Sequence, residues 1–179
     1  MRTEEFWALI DDARTGPEGD DADAVAVRAA AALAERDVAD IVGWNRHLTR
    51  VLTASHREDL WGAAYLINGG CSEDGFDHFR GWLIAQGRQV FARAVAEPDS
   101  LADLPRIRQA AATGEEFGSE AVLEIAAQAH RTATATELPA DPEPRRTPDT
   151  GDFWDFDDEE EARRRLPRLA ALFVEPPEE

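Results

Sequence analysis

Apolar residues recur along most of this chain at the three- and four-residue spacing of a helix, and no run alternates as a half-buried strand would. Phe6, Leu9, Ile10 and Ala13 share one side of a first helix. Thr3 is placed to cap it, and Glu4 and Glu5 suit the positive end of its dipole. Thr15-Gly16-Pro17-Glu18-Gly19-Asp20 is turn chemistry, and the Ala-rich run from Ala22 to Glu35 predicts a second helix. Val38, Ile41, Val42, Leu48, Val51 and Leu52 predict a third over 38–52, with Trp44 beside the stripe.

The segment from about Arg57 to Ile67 is apolar nearly all round, a pattern that belongs in the centre of a bundle. Asn68-Gly69-Gly70 should end it through a glycine C-cap, because the flanks have helical rather than alternating period. Asp74 is then placed to cap a long helix to about Glu97, striped by Phe76, Phe79, Leu83, Gly87, Val90 and Ala94 and stopped by Pro98. These two helices predict an αα-hairpin at the heart of the fold, with Gly81 and Gly87 as points of close approach. A short helical turn at Leu101 and Leu104, a weak helix over 107–112 and a better one over 119–132, capped by Ser119 or Gly118, follow.

Four prolines make 138–152 an extended surface connection. Asp157 with Glu160 has capping-box spacing ahead of a charged helix, in which Glu159, Glu160 and Glu161 each precede an Arg by four residues. Pro167 should open a last helix burying Leu169, Leu172 and Phe173, before a frayed tail at 175–179. The expected fold is all-α: one domain over 1–179, an orthogonal or irregular helical bundle around the central hairpin with little or no sheet.

Composition narrows the function classes. The 37 acidic residues against 19 basic ones, all of them Arg, give a net charge of -18, which repels nucleic acid and anionic membrane surfaces and favours another protein or a basic ligand. With Cys71 alone there is no internal disulfide, and no signal segment or apolar span is evident, so a cytoplasmic monomer or weak dimer is expected. No phosphate loop, nucleophile elbow or dinucleotide fingerprint is present, and no cofactor is expected beyond a possible divalent cation.

Several segments carry a family likeness: Phe6-Trp7 with Leu9-Ile10-Asp11, Leu60-Trp61-Gly62-Ala63-Ala64-Tyr65, Gly69-Gly70-Cys71-Ser72-Glu73-Asp74-Gly75-Phe76, Phe79-Arg80-Gly81-Trp82-Leu83-Ile84, Gln86-Gly87 and Trp154-Asp155-Phe156-Asp157. Over nearly its whole length the chain resembles the bacterial family known as domain of unknown function 4240. Glu73 stands where Asp is common in that family, a change that keeps the charge. The resemblance implies one domain and no particular mechanism.

The densest polar cluster surrounds the glycine loop: Cys71, Ser72, Glu73, Asp74, Asp77, His78 and Arg80. Asp74 and His78, four apart on one helical face, can give two ligands to a divalent cation, with Asp77 or Glu73 near enough to help. Capping and dipole roles account for the same acids without a metal. A nucleophilic Cys71 would need a lowered thiol pKa, which Glu73 and Asp74 oppose. Of the five tryptophans, Trp61 reads as core, while Trp82 and Trp154, with Asp155, read as candidates for a ligand-facing surface. The favoured reading is a non-enzymatic binding or accessory protein that presents an acidic, aromatic-lined surface to a macromolecular partner. The alternative is a small metal-dependent hydrolase using Asp74, Asp77 and His78. Any ligand site is expected where the 69–75 loop meets the next helix, with Trp154 and Asp155 folded against it.

Overall fold

The computed structural model describes residues 1–141 and 153–175, and among these every regular element is a helix. None is long and apolar enough to cross a membrane. The order is α1 Thr3–Arg14, α2 Ala22–Ala34, α3 Val38–Ala54, α4 Glu58–Asn68, α5 Glu73–Ala85, α6 Arg88–Ala96, a 3-10 helix Pro98–Asp103, α7 Pro105–Thr113, α8 Glu120–Leu123, α9 Ile125–Thr134, α10 Glu159–Arg165 and α11 Pro167–Phe173.

Helix α2 sits amid the bundle, packed against α1, α3, α5, α8 and α9. Its buried face is Ala22, Val25, Ala26, Ala29, Ala30 and Leu33, and small side chains there let neighbouring helices approach closely. Its start is fixed by the Asp21 carboxylate, which accepts from the Asp23 and Ala24 amides at 2.9 and 3.1 Å. The α4–α5 pair is present, joined by Gly69–Ser72, with Gly69 in the left-handed C-cap conformation at φ 65°. Most of what buries α5 comes from α8 and α2. Gly81 makes the α8 approach possible: a Cβ on it would lie 2.3 Å from the Ser119 carbonyl oxygen.

The structure corrects several local expectations. Ser72, not Asp74, caps α5, its hydroxyl accepting from the Gly75 amide at 3.1 Å. The predicted 74–97 helix is two helices, broken where Gln86 caps α5 and Gly87 takes φ 90°. A side chain at Gly87 would also meet Asp11 and Arg14 of α1, so this glycine serves a break as well as an approach. The 119–132 helix is interrupted at Glu124, which splits it into α8 and α9. Arg2 rather than Thr3 is the first N-cap, with Glu5 accepting from its amide at 2.5 Å. Asp158 rather than Asp157 caps α10, accepting from the Glu160 and Glu161 amides. Within that helix Glu161 takes both Arg164 and Arg165, where the four-residue rule paired Arg164 with Glu160.

Residues 138–141 lack regular structure, as expected for the start of a surface connection; 142–152 and the tail at 176–179 lie outside the described residues. Trp154 covers α4 at Gly62, whose missing side chain makes the space: a Cβ there would lie 2.3 Å from the indole. The Trp154 amide donates to Glu58 at 2.6 Å, and the Tyr65 hydroxyl to Asp157 at 2.6 Å. Asp99, buried in the 3-10 helix, accepts from the Arg168 and Leu169 amides at 3.0 and 2.9 Å, so one helix supplies the cap of another about seventy residues away. Leu169 is fully buried, while Leu172 and Phe173 are half-buried.

Candidate functional site

The glycine loop is fastened from α4. The Trp61 indole N–H donates to the Cys71 carbonyl at 2.9 Å, and its ring stacks on Phe76 at 4.9 Å. Cys71 is half-buried, and burial pushes its thiol up to about 11, more than the nearby Arg80 pulls it down. At neutral pH it is a neutral thiol, the wrong state for a nucleophile.

Arg80 is fully buried. It donates to the Leu52 carbonyl at 2.5 Å and to Phe76 at 3.3 Å, pairs with Asp77, and sits 4.2 Å over the Phe76 ring. The Asp77–Arg80 pair therefore ties α5 to the last turn of α3, and Arg80 offers no surface to a ligand. Trp82 packs between Phe79 and Phe117 at 3% exposure, and Trp154 is 8% exposed, so both are core. Trp61, read from the sequence as core, is the more open ring, half-buried at the edge of an aromatic group with Phe153 and Phe156. Asp155 is exposed and accepts from the Asp157 amide at 3.0 Å, an Asx turn. The 153–157 segment does fold back onto the hairpin, on α4 and around Trp61. Among the described residues no three His, Cys, Asp or Glu side chains converge to hold a metal, so Asp74 and His78 gain no third ligand there.

Beside this region, among the described residues, lies a cleft of about 700 Å³ that the sequence did not delimit. The N-terminal end of α2 gives it Asp23, the C-terminal end of α4 Asn68, and the start of α5 Gly75 and His78. The stretch from Glu116 to Glu124 closes the other side. Its walls are locked by hydrogen bonds. The Asn68 side chain pairs with the Phe117 backbone in both directions at 2.9 Å, and the Ser119 amide donates to the His78 carbonyl at 2.9 Å. The Ser119 hydroxyl donates to Asp23 at 2.6 Å while accepting from the Val122 amide at 3.2 Å. Asp23, Glu116, Glu120 and Glu124 remain exposed around this frame, His78 is the one basic-type side chain lining it, and the buried Phe117 forms its apolar base.

Of the candidate site side chains, only His78 lines this cleft, beside Gly75 at the end of the 69–75 loop; Cys71, Asp74, Asp77, Arg80, Trp82, Trp154 and Asp155 do not. The acids that do line it were missed because three of them follow α7, some forty residues beyond the loop in sequence, and reach it only through the α5–α8 contact. The available signal was Gly118-Ser119, a helix start bracketed by Glu116 and Glu120.

A family model described as "Protein of unknown function (DUF4240)" matches residues 1–132, and the chain belongs to that family. The match ends before Trp154–Asp157, so that part of the sequence likeness lies outside it. No curated protein and no solved structure matches the chain.

Proposed function

Starting from that membership, we propose that this protein is a non-enzymatic binding or accessory protein, and that its acidic cleft receives a basic segment of a partner protein. The observation that carries this is the cleft itself: four exposed carboxylates around a preformed concavity of about 700 Å³ with an aromatic base. Grouped carboxylates on a rigid frame attract guanidinium and ammonium groups and speed their encounter, and the net charge of -18 adds long-range steering of the same sign. The frame is hydrogen-bonded already, so docking costs little reorganisation. The hydrolase alternative gathers less support, since Asp77 is engaged by Arg80 and the Cys71 thiol is held neutral.

The test must separate a site from general attraction to a polyanion. A hexa-arginine peptide titrated into labelled protein should shift the amide resonances of Asp23, Asn68, His78 and 118–124 most. Glu116→Gln/Glu120→Gln/Glu124→Gln should weaken the interaction about tenfold or more, while the equal charge change Glu4→Gln/Glu159→Gln/Glu160→Gln leaves it nearly intact. Shifts spread evenly over the surface, or equal effects of the two triple variants, would reject the cleft.

A further inference from the structure

A second concavity shares no residue with the cleft and has the opposite character. It holds about 490 Å³ and is lined by three helical stripes. Helix α6 contributes Arg88, Phe91, Ala92, Val95 and Ala96; α3 contributes His47, Arg50, Val51 and Ala54; α1 contributes Thr3 and Trp7, and Arg57 follows from the α3–α4 turn. Each stripe keeps the three- and four-residue spacing of one helical face. No Asp or Glu lines this recess, in a chain where acids outnumber Arg by about two to one.

The arginines make the contrast sharper. Elsewhere Arg80, Arg93, Arg106, Arg163, Arg164, Arg165 and Arg168 face carboxylates; among the described residues Arg14, Arg28, Arg36 and Arg108 do not, but none of these four lines the recess. Among the described residues Arg50, Arg57 and Arg88 have no ion-pair partner, although all three are exposed. They lie together around a floor of Trp7, Val51, Phe91 and Val95. An apolar recess rimmed by unpaired guanidinium groups complements a ligand that is apolar at one end and anionic at the other.

We propose that this recess binds a small organic acid: an aromatic or aliphatic body seated on Trp7, Val51, Phe91 and Val95, with a terminal carboxylate held among Arg50, Arg57 and Arg88. The volume fits a small molecule, and the small side chains Ala54, Ala92 and Ala96 create that space. The proposal rests on this recess alone and stands whether or not the acidic cleft binds a basic segment.

Three probes with matched bodies test it: phenylbutyrate, phenylbutanol and phenylbutylamine, titrated by calorimetry into the full chain at neutral pH. The acid is expected to bind one to one, about fivefold or more tighter than the alcohol, with the amine weakest. Arg50→Gln/Arg88→Gln should remove most of the preference for acid over alcohol while leaving the alcohol unchanged. Ala92→Trp, at an exposed position, should fill the recess and weaken acid and alcohol alike without changing charge. Equal affinity for acid and alcohol, acid binding that survives both variants, or no saturable binding at millimolar acid would overturn the proposal. So would a self-associated chain that Ala92→Trp dissociates, which would assign the recess to a second copy.

Discussion

Two helices of this protein carry arginine beside acids and put it to opposite uses. In α5, Arg80 is fully buried and satisfies two carbonyls and Asp77, so one guanidinium welds α5 to the end of α3. In α10, Arg163, Arg164 and Arg165 pair with Glu159, Glu161 and Asp59 on a surface open to water. The local sequences give no warning of this difference, since both place acid and base three or four residues apart. The surroundings decide it: α5 is covered by α2 and α8, whereas α10 shows one face to solvent and buries only Ala162.

The largest expected effect follows from the buried member. Arg80→Ala should cost about 3–5 kcal/mol, because it empties a fully buried site stacked on Phe76 and removes both the charged donor to the Leu52 and Phe76 carbonyls and the ion pair with Asp77. For a chain of this size the melting temperature should fall by about 10 °C or more, measured by circular dichroism. Arg80→Met combined with Asp77→Asn should cost less than the two single changes added together, since the pair is removed as a unit. A stable Arg80→Ala protein would place Arg80 with the surface arginines and dissolve the comparison.

The close approaches that bury α5 give the next effect. At Gly81 a methyl group would strike the Ser119 carbonyl, a backbone atom that also carries the cleft wall; at Gly62 it would meet the ring of Trp154, a side chain that can be displaced without moving a helix. Gly81→Ala should therefore cost about 1–3 kcal/mol in urea unfolding, and Gly62→Ala less, its effect confined to release of the 153–157 segment. Limited proteolysis separates the two: Gly62→Ala should expose the C-terminal segment while the remainder stays protected.

How much of this was legible in the sequence depends on where the deciding partner sits. Helix existence came through because periodicity is local: the α1 stripe of Phe6, Leu9, Ile10 and Ala13 is buried, and in α3 Ile41, Leu48 and Leu52 are, although Val38 is exposed and Trp44, set beside that stripe, is fully buried. The break at Gly87 was missed because an apolar stripe continues through it, and only its positive φ and the abutting α1 carboxylate reveal a new helix. The site was the least legible part. Arg80 looked like a charge at a loop and is core; Trp82 and Trp154 looked like free aromatics and are core; the cleft acids gather only once Gly81 admits the 118–124 segment. Net charge misled in its own way, since -18 says nothing of an arginine-rimmed recess without acids.

Cys71 belongs to the buried side of the comparison and predicts a kinetic effect rather than a structural one. With its thiol pushed up to about 11, iodoacetamide should label the folded protein far more slowly at pH 8 than it labels the chain in denaturant. The thiol's usual value is 9.0, so its share of stability is complete below that pH and lost as pH rises from about 9 through 11. Equal labelling rates folded and unfolded would mean that Cys71 is open and activated.

The smallest expected effect completes the comparison on α10. Hydrogen bonds from Arg164 and Arg165 hold the Glu161 carboxyl at about 2, below its usual 4.5. A lowered carboxylate pKa stabilises the fold above the unfolded value and loses that contribution as pH falls from about 4.5 toward 2. Because both partners face water, salt screens the attraction and ordering the long side chains offsets much of it. Glu161→Gln should thus lower the melting temperature only slightly at pH 7 in dilute buffer, and the difference from the unsubstituted chain should vanish in 1 M salt. The deficit of Arg80→Ala should persist in the same salt, since its guanidinium is shielded from solvent ions. A Glu161→Gln deficit as large and as salt-resistant as that of Arg80→Ala would mean that the α10 ladder is part of the core.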